Sequence, residues 1–398
     1  MGRWHDPLES LLLPILALGC GLLLFGVFVA LGGHSPVEVW RLLYLGAFGD
    51  AFSVQNTLQR AAPLMLTALC VALPARAGLT VIGGEGALVL GGLAAAALPL
   101  GLPVPGGAVG SLCVLLAAAL AGAAWIALAG ALRQFRGVNE TISSLLLGYV
   151  AISLFKHWVE GALRDPASLN KPSTPPLAES IRIGAIGDFD VHWGLAWGVA
   201  ACVVAGVWLL GTTHGFATRV VGGNGRAARL VGLPTDRLVI TACALGGAAA
   251  GVAGGIEVAA VHTAANASLI AGFGYTGILV SFVARHQPFA IVPVAILFGG
   301  FLAAGSLLQR RIGLPDASVQ VLMGLCFVLI LAAEALRGRL FAALASRGET
   351  PAPTTDGDAG TRAGSAASAS TVPASTVPAA SVPAASVRTD IAAAGSRP

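Results

Sequence analysis

The sequence is poor in charge. Only 11% of its 398 residues are Asp, Glu, Lys or Arg, against roughly 25% in a typical soluble domain. A soluble protein of this length needs more charge to cover its surface, so the composition excludes a soluble enzyme and a nucleic-acid-binding protein. Lysine occurs only at Lys156 and Lys171, and the arginines are spread thinly between apolar runs. The net charge of +4 therefore does not indicate a nucleic-acid partner.

Metal-binding and nucleotide-binding motifs are also missing. The six cysteines lie singly in apolar runs without a CxxC pair, which is typical of small packing residues in helices. The sequence contains no GxxxxGK[ST] phosphate loop, no GxSxG elbow and no HExxH zinc helix. We therefore expect no cofactor, no metal site and no catalytic activity in this chain.

Long charge-free runs dominate the rest of the sequence. A bilayer core of about 30 Å needs roughly 20 apolar residues per helix, and segment 86–132 alone offers room for two such helices. The pattern predicts an all-α, polytopic membrane protein. Its core is expected at 56–347, after an N-terminal helix and outer loop at 1–55. The Ala-, Ser- and Pro-rich segment 348–398 is expected to be a disordered cytoplasmic tail. About ten transmembrane helices are predicted, at 9–32, 58–78, 85–101, 107–132, 141–161, 191–212, 238–261, 270–285, 288–308 and 316–336.

The distribution of arginine predicts the orientation. Three segments are basic: 213–237, the turn at Arg133 and Arg136, and the region after the last helix. Placing them in the cytoplasm, as the positive-inside rule requires, puts both termini inside and segments 33–57 and 162–190 outside. Arg310 and Arg311 then fall outside and conflict with the rule. In the first outer segment, Trp40 and Tyr44 indicate an amphipathic helix on the membrane surface.

Segment 76–86 (RAGLTVIGGEG) places Arg76 and Glu85 near membrane depth with little helix propensity between them. Two interpretations fit this segment. Irregular backbone at membrane depth lines a cavity or is buried in protein, so the segment is a broken helix on a transport pathway. Alternatively, it is a short cytoplasmic loop between two helices.

Two further features allow a functional and a structural interpretation. Gly247, Gly251 and Gly255 recur every four residues, which is typical of close helix packing and more rarely of substrate contact. Glu257 follows them in an otherwise apolar stretch. A carboxylate there either faces the protein interior or a wet cavity, or lies at a solvated helix end.

The basic segment 223–232 (GNGRAARLVG) predicts a short helix capped by Asn224 and ended by Gly232. On the cytoplasmic side such a helix suits docking to a partner. The alternative is an ordinary positive-inside loop.

These segments together resemble the permeases of ribose- and nucleoside-type ABC importers. The resemblance covers about residues 56–336. The outer segment 161–166 (GALRDP) is similar to that of the longer permease in nucleoside systems. The family usually has Phe-Asn before Ile82-Gly83 and Gln after Gly86, whereas Thr80, Val81 and Ala87 stand here. The matching segments are 56–67, 76–79, 82–86, 138–142, 147–149, 161–166, 223–232, 274–278 and 284–288.

The resemblance implies an inner-membrane permease subunit that imports a nucleoside or simple sugar. Its implied partners are a cytoplasmic ABC ATPase, an extracytoplasmic substrate-binding lipoprotein and a second permease chain, which is a sister or an identical copy. An ion-coupled secondary transporter is the alternative, but such a transporter needs paired acids within its spans. The predicted substrate-pathway residues are Glu85, Glu257 and Arg76, and the predicted ATPase-coupling residues are Gly223, Asn224, Ala228, Arg229 and Gly232.

Overall fold

The computed structural model describes residues 5–187 and 189–336, and in this part of the chain it is almost entirely helical. The predicted tail at 348–398 and the arginines after the last helix lie outside the described residues. The first half comprises α1 (His5–Leu31), α2 (Pro36–Phe48), α3 (Ala51–Arg76), α4 (Gly84–Gly101), α5 (Ala108–Arg136) and α6 (Glu140–Glu160). The second half comprises the short strands β1 (Ala185–Ile186) and β2 (Phe189–His192), then α7 (Gly194–Gly211), α8 (Thr213–Gly223), α9 (Gly225–Leu230), α10 (Thr235–Ile256), α11 (Phe273–Val283), α12 (Pro288–Ile312) and α13 (Ala317–Leu336).

The predicted membrane fold is confirmed. Among the described residues, nine helices are long and apolar enough to cross a membrane, and each matches a predicted span. The remaining predicted span, 270–285, contains only α11, an 11-residue helix. At 1.5 Å per residue, α11 extends about 16 Å, roughly half of a bilayer core.

Local capping fixes several helix ends. The Asp50 carboxylate accepts a hydrogen bond from Ser53 N at the start of α3. The Asn139 side chain accepts from Thr141 N and Ile142 N at the start of α6. Gly137 adopts φ +67° after α5, a left-handed conformation that glycine tolerates best.

The core is centred on α3 and α10. Residues 61–74 of α3 are all buried, and α10 packs against α3, α4 and α5. A Cβ at Gly247 or Gly251 of α10 would collide with the carbonyl of Gly122 or of Ala118 in α5, and a Cβ at Gly255 would lie 2.8 Å from the Ala118 side chain. The packing interpretation of these glycines is therefore confirmed.

Candidate translocation pathway and coupling surface

The Glu85 carboxylate ties the start of α4 to the start of α11. Its Oε1 accepts a hydrogen bond from Gly272 N at 2.8 Å, and its Oε2 accepts one from Gly274 N at 2.6 Å. Both amides belong to the N-terminal end of α11, where unpaired N–H groups favour an anion. The side chain of Glu85 is buried.

The junction of α4 and α11 lies inside the bundle. The Thr67 hydroxyl donates to Phe273 O at 3.0 Å, which sets the start of α11 beside the middle of α3. Thr67 precedes the end of α3 at Arg76 by nine residues, or about 13 Å. The chain from Ala77 to Gly83 is irregular, and Ile82 N bonds to Ser144 Oγ of α6 at 3.0 Å. Segment 76–86 is thus held between helices, and α11 is a half-length helix.

Arg76 is directed at the far end of α11. Its Nε donates to His286 O at 2.9 Å, and its Nη2 donates to Arg285 O at 3.1 Å. Both residues have left-handed backbone, with φ of +53° and +54°, which costs side-chain-bearing residues energy. Arg76 therefore fixes the turn between α11 and α12, and its predicted place on the substrate pathway stays a prediction.

His286 completes this turn. Its Nδ1 lies 2.8 Å from the Ser281 hydroxyl, and its ring packs edge-on against Phe282. Burial, assisted by the positive charge of Arg76, lowers the pKa of His286 to about 4. The imidazole is neutral at pH 7.

Glu257 lies elsewhere in the bundle. The helix continues past it as one π turn, Glu257–His262, so its buried carboxylate is not at a solvated helix end. Its Oε2 lies 3.6 Å from His262 Nε2. One turn earlier, Gly254 packs against Leu88 and Gly92 of α4, several residues beyond Glu85. The structure therefore separates the two acids along α4, and the pathway role of Glu257 stays a prediction.

The predicted outer segments share one end of the bundle. Thr174 N bonds to Ala265 O at 3.0 Å, and the Asp190 carbonyl accepts a hydrogen bond from Gln59 near the start of α3. At the same end, Arg310 and Arg311 line a cavity of about 590 Å³ with Glu38 and Asp50. The two acids lie near both arginines, and the conflict with the positive-inside rule remains.

The predicted docking helix is present as α9, at the opposite end of the bundle. The Asn224 side chain accepts from Arg226 N at 3.1 Å and from Ala227 N at 3.0 Å, as its sequence predicts. Gly232 ends the segment with φ +82°. Gly223, Asn224 and Arg229 are exposed.

Ala228 faces inward, whereas Leu230 and Val231 face outward. Ala228 is 0% exposed and belongs to a buried cluster that includes Leu238 and Val239 of α10, so it anchors α9 to its own chain. Leu230 is 89% exposed and Val231 73%. Sequence reasoning missed this apolar pair, although two large apolar residues at the end of a basic segment were a usable signal.

A second basic turn lies beside α9. Arg133, Gln134 and Gly137 line a cavity of about 480 Å³ together with Gly225 and Arg229. The Arg133 Nε lies 3.3 Å from the Glu140 carboxylate. Two of the predicted basic segments therefore border one polar surface.

Comparison with known proteins identifies the family. Residues 53–331 match the model described as branched-chain amino acid transport system / permease component. A glucose ABC transporter permease of Haloferax volcanii is 33% identical over 87% of this chain and 94% of its own. A guanosine ABC transporter permease of Bacillus subtilis is 28% identical over 83% and 95%. A nucleoside ABC transporter permease of Lactococcus lactis is 26% identical over 80% and 89%. The chain, with its nine apolar spanning helices in the described part, belongs to this family of ABC transporter permease components.

Proposed function

We propose that this chain is a permease subunit of an ABC importer and passes a nucleoside or simple sugar into the cytoplasm. The observation that carries the proposal is the junction at Glu85, where two helices begin inside the bundle. Helix ends at membrane depth are found where a polar solute crosses, because neighbouring protein satisfies their backbone groups. Relatives named as glucose, guanosine and nucleoside permeases support the substrate class.

The chain moves solute and catalyses no bond-making step. A cytoplasmic ATPase supplies the energy and docks against α9, with Leu230 and Val231 as the apolar centre of the contact. An extracytoplasmic lipoprotein delivers the substrate at the opposite end, beside segments 33–57 and 162–190. A second permease chain completes the pathway. The basic end that contains α9 faces the cytoplasm, so both termini lie on the cytoplasmic side of the plasma membrane.

Uptake of labelled guanosine and labelled glucose tests the proposal. Cells that lack the gene are compared with cells that carry it intact or with an early stop codon as the matched control. We expect ATP-dependent uptake of at least one of the two solutes only with the intact gene. Equal uptake of both solutes in all three strains would refute an import role.

A protonophore separates the two energy sources. It collapses the ion gradients that a secondary transporter needs, and vanadate inhibits ATP hydrolysis. We expect uptake to survive a brief protonophore pulse and to stop with vanadate. The reverse pattern would support the ion-coupled alternative.

A further inference from the structure

Two of the three tyrosines in the chain flank the Glu85 junction. Each follows a glycine that closes against the first turn of α4. A Cβ at Gly86 would lie 2.8 Å from the Cα of Gly148 in α6, and a Cβ at Gly274 of α11 would collide with the backbone of Glu85. The next residues are Tyr149 and Tyr275. The first turn of α4 is thus held between two Gly-Tyr pairs.

The side chains of both tyrosines are exposed on the surface of the bundle. Tyr149 is 57% exposed and Tyr275 is 42% exposed. Tyr275 lies near both Tyr149 and the Glu85 carboxylate. Among the residues that the structure describes, neither hydroxyl has a hydrogen-bond partner.

Their depth argues against a lipid-facing role. Tyr149 lies nine residues into α6, about 14 Å from the start of that helix, and so close to the middle of a 30 Å hydrocarbon core. Tyrosines that contact lipid gather at the two membrane interfaces, where the hydroxyl reaches water. An unpartnered hydroxyl in hydrocarbon is costly. Two such side chains near mid-depth therefore indicate a wet surface.

Space for a ring is present beside Tyr275. Tyr275 lines a partly open cavity of about 280 Å³ together with Gly272, Thr276 and Gln320, and Tyr149 lies outside this lining. This volume is close to the lower limit of roughly 300 Å³ for small-molecule sites. The cavity offers aromatic surface and few hydrogen-bonding groups.

We propose that Tyr149 and Tyr275 form a transit site beside the Glu85 junction that binds the base of a nucleoside by stacking. Stacking suits a transit site because every base has a flat apolar face, so a moderate attraction is gained without an exact hydrogen-bonding pattern. The proposal rests on the proposed permease function and chooses the nucleoside over the sugar.

The experiment uses the complete importer in proteoliposomes with saturating labelled guanosine, so that delivery of the substrate does not limit uptake. Tyr149→Leu and Tyr275→Leu remove the aromatic ring, and the corresponding Phe variants keep it. Tyr44→Leu is the matched control, since Tyr44 is the third tyrosine and lies exposed on α2. Loss of one base–aromatic stack predicts about a ten-fold fall in guanosine uptake in each Leu variant. The Phe variants and Tyr44→Leu should stay within about two-fold of the wild type.

Each contrary result has a distinct meaning. Wild-type-like uptake in both Leu variants overturns the transit site, and so does an equal loss in the Phe variants, because a hydroxyl or packing role would then explain the effect. Loss of the second permease chain during purification of the Leu variants would overturn it in favour of a subunit interface. Uptake of glucose but not guanosine by the wild type overturns base stacking and leaves the permease function intact. Uptake of neither refutes the permease function as well.

Discussion

Replacing Glu85 by Gln should loosen the junction between α4 and α11. The carboxylate accepts one hydrogen bond on each oxygen, from Gly272 N and Gly274 N. A Gln side chain keeps one acceptor and turns an NH₂ group toward the other N–H, so one bond is lost and two donors face each other. The variant has nearly the same volume, so packing around it is preserved.

The size of the effect can be bounded. A hydrogen bond to a charged group contributes about 1.5–3 kcal/mol in soluble proteins, whereas interhelical bonds in membrane proteins average about 0.6 kcal/mol. The buried position of Glu85 and its two backbone donors favour the upper part of this span. We expect a loss of about 1–2 kcal/mol in the free energy of unfolding, equivalent to a five- to thirty-fold shift in the equilibrium.

Thermal unfolding of the purified permease in detergent measures this loss, and guanosine or glucose uptake measures its consequence. Glu179→Gln is the matched control, because Glu179 is an exposed acid in the outer segment. The control should unfold at the wild-type temperature. If Glu85→Gln also unfolds at that temperature and transports normally, the carboxylate does not hold the two helices together.

Three further predictions concern other parts of the molecule. Leu230→Ser should reduce copurification of the ATPase while the permease stays at its normal level, because the Leu230 side chain is almost fully exposed in its own chain. Ala228→Trp should instead lower the level of folded permease, since Trp overfills a buried site. The opposite outcomes would place the ATPase contact elsewhere. Glu257→Gln should lower substrate uptake by a larger factor than it lowers the amount of permease in the membrane, which blotting measures. Unchanged uptake would exclude a pathway role for Glu257. His286 has a pKa of about 4 in the folded chain, below its ordinary value, so the unfolded chain binds a proton first and stability should fall as the pH drops from about 6.5 to 4. His286→Asn should flatten this part of the pH–stability curve. An unchanged curve would contradict the lowered pKa of His286.

The spanning helices could be predicted because their signal is local. Charge-free runs of sufficient length mark each helix, and the first and last residues of α4, for example, differ from the prediction by at most one position. The cap of α9 was equally predictable, since the Asn224 side chain bonds to amides only two and three residues away. In these cases the sequence contains the donor, the acceptor and the spacing together.

The partners of Glu85 could not be predicted. Gly272 and Gly274 follow it by 187 and 189 residues, and a glycine amide has no side chain whose chemistry would suggest a carboxylate. The depth of α11 was hidden for a similar reason, because an 11-residue apolar helix and its irregular approach have the composition of one full span. Long-range contacts of backbone groups leave little trace in the composition of either segment.

The orientation of α9 was a third limit. A helix of six residues has too few positions for a hydrophobic period, so spacing alone does not show whether Ala228 or Leu230 faces the bundle. The tertiary structure decides, because Ala228 is fully buried in a cluster with residues of α10, whereas Leu230 is almost fully exposed. The small residue therefore lies inside and the large apolar residue outside, the reverse of a simple hydrophobicity ranking.

A chain of direct contacts joins the α9 surface to the Glu85 junction. Gly222, at the end of α8, lies so close to the carbonyl of Arg76 that a Cβ there would collide with it. The guanidinium of the same Arg76 holds the carbonyls of Arg285 and His286 at the end of α11. The start of α11 is in turn held by Glu85. Packed protein contacts are not continuously deformable. A displacement of α8 must therefore break these contacts or carry the ends of α3 and α11 with it.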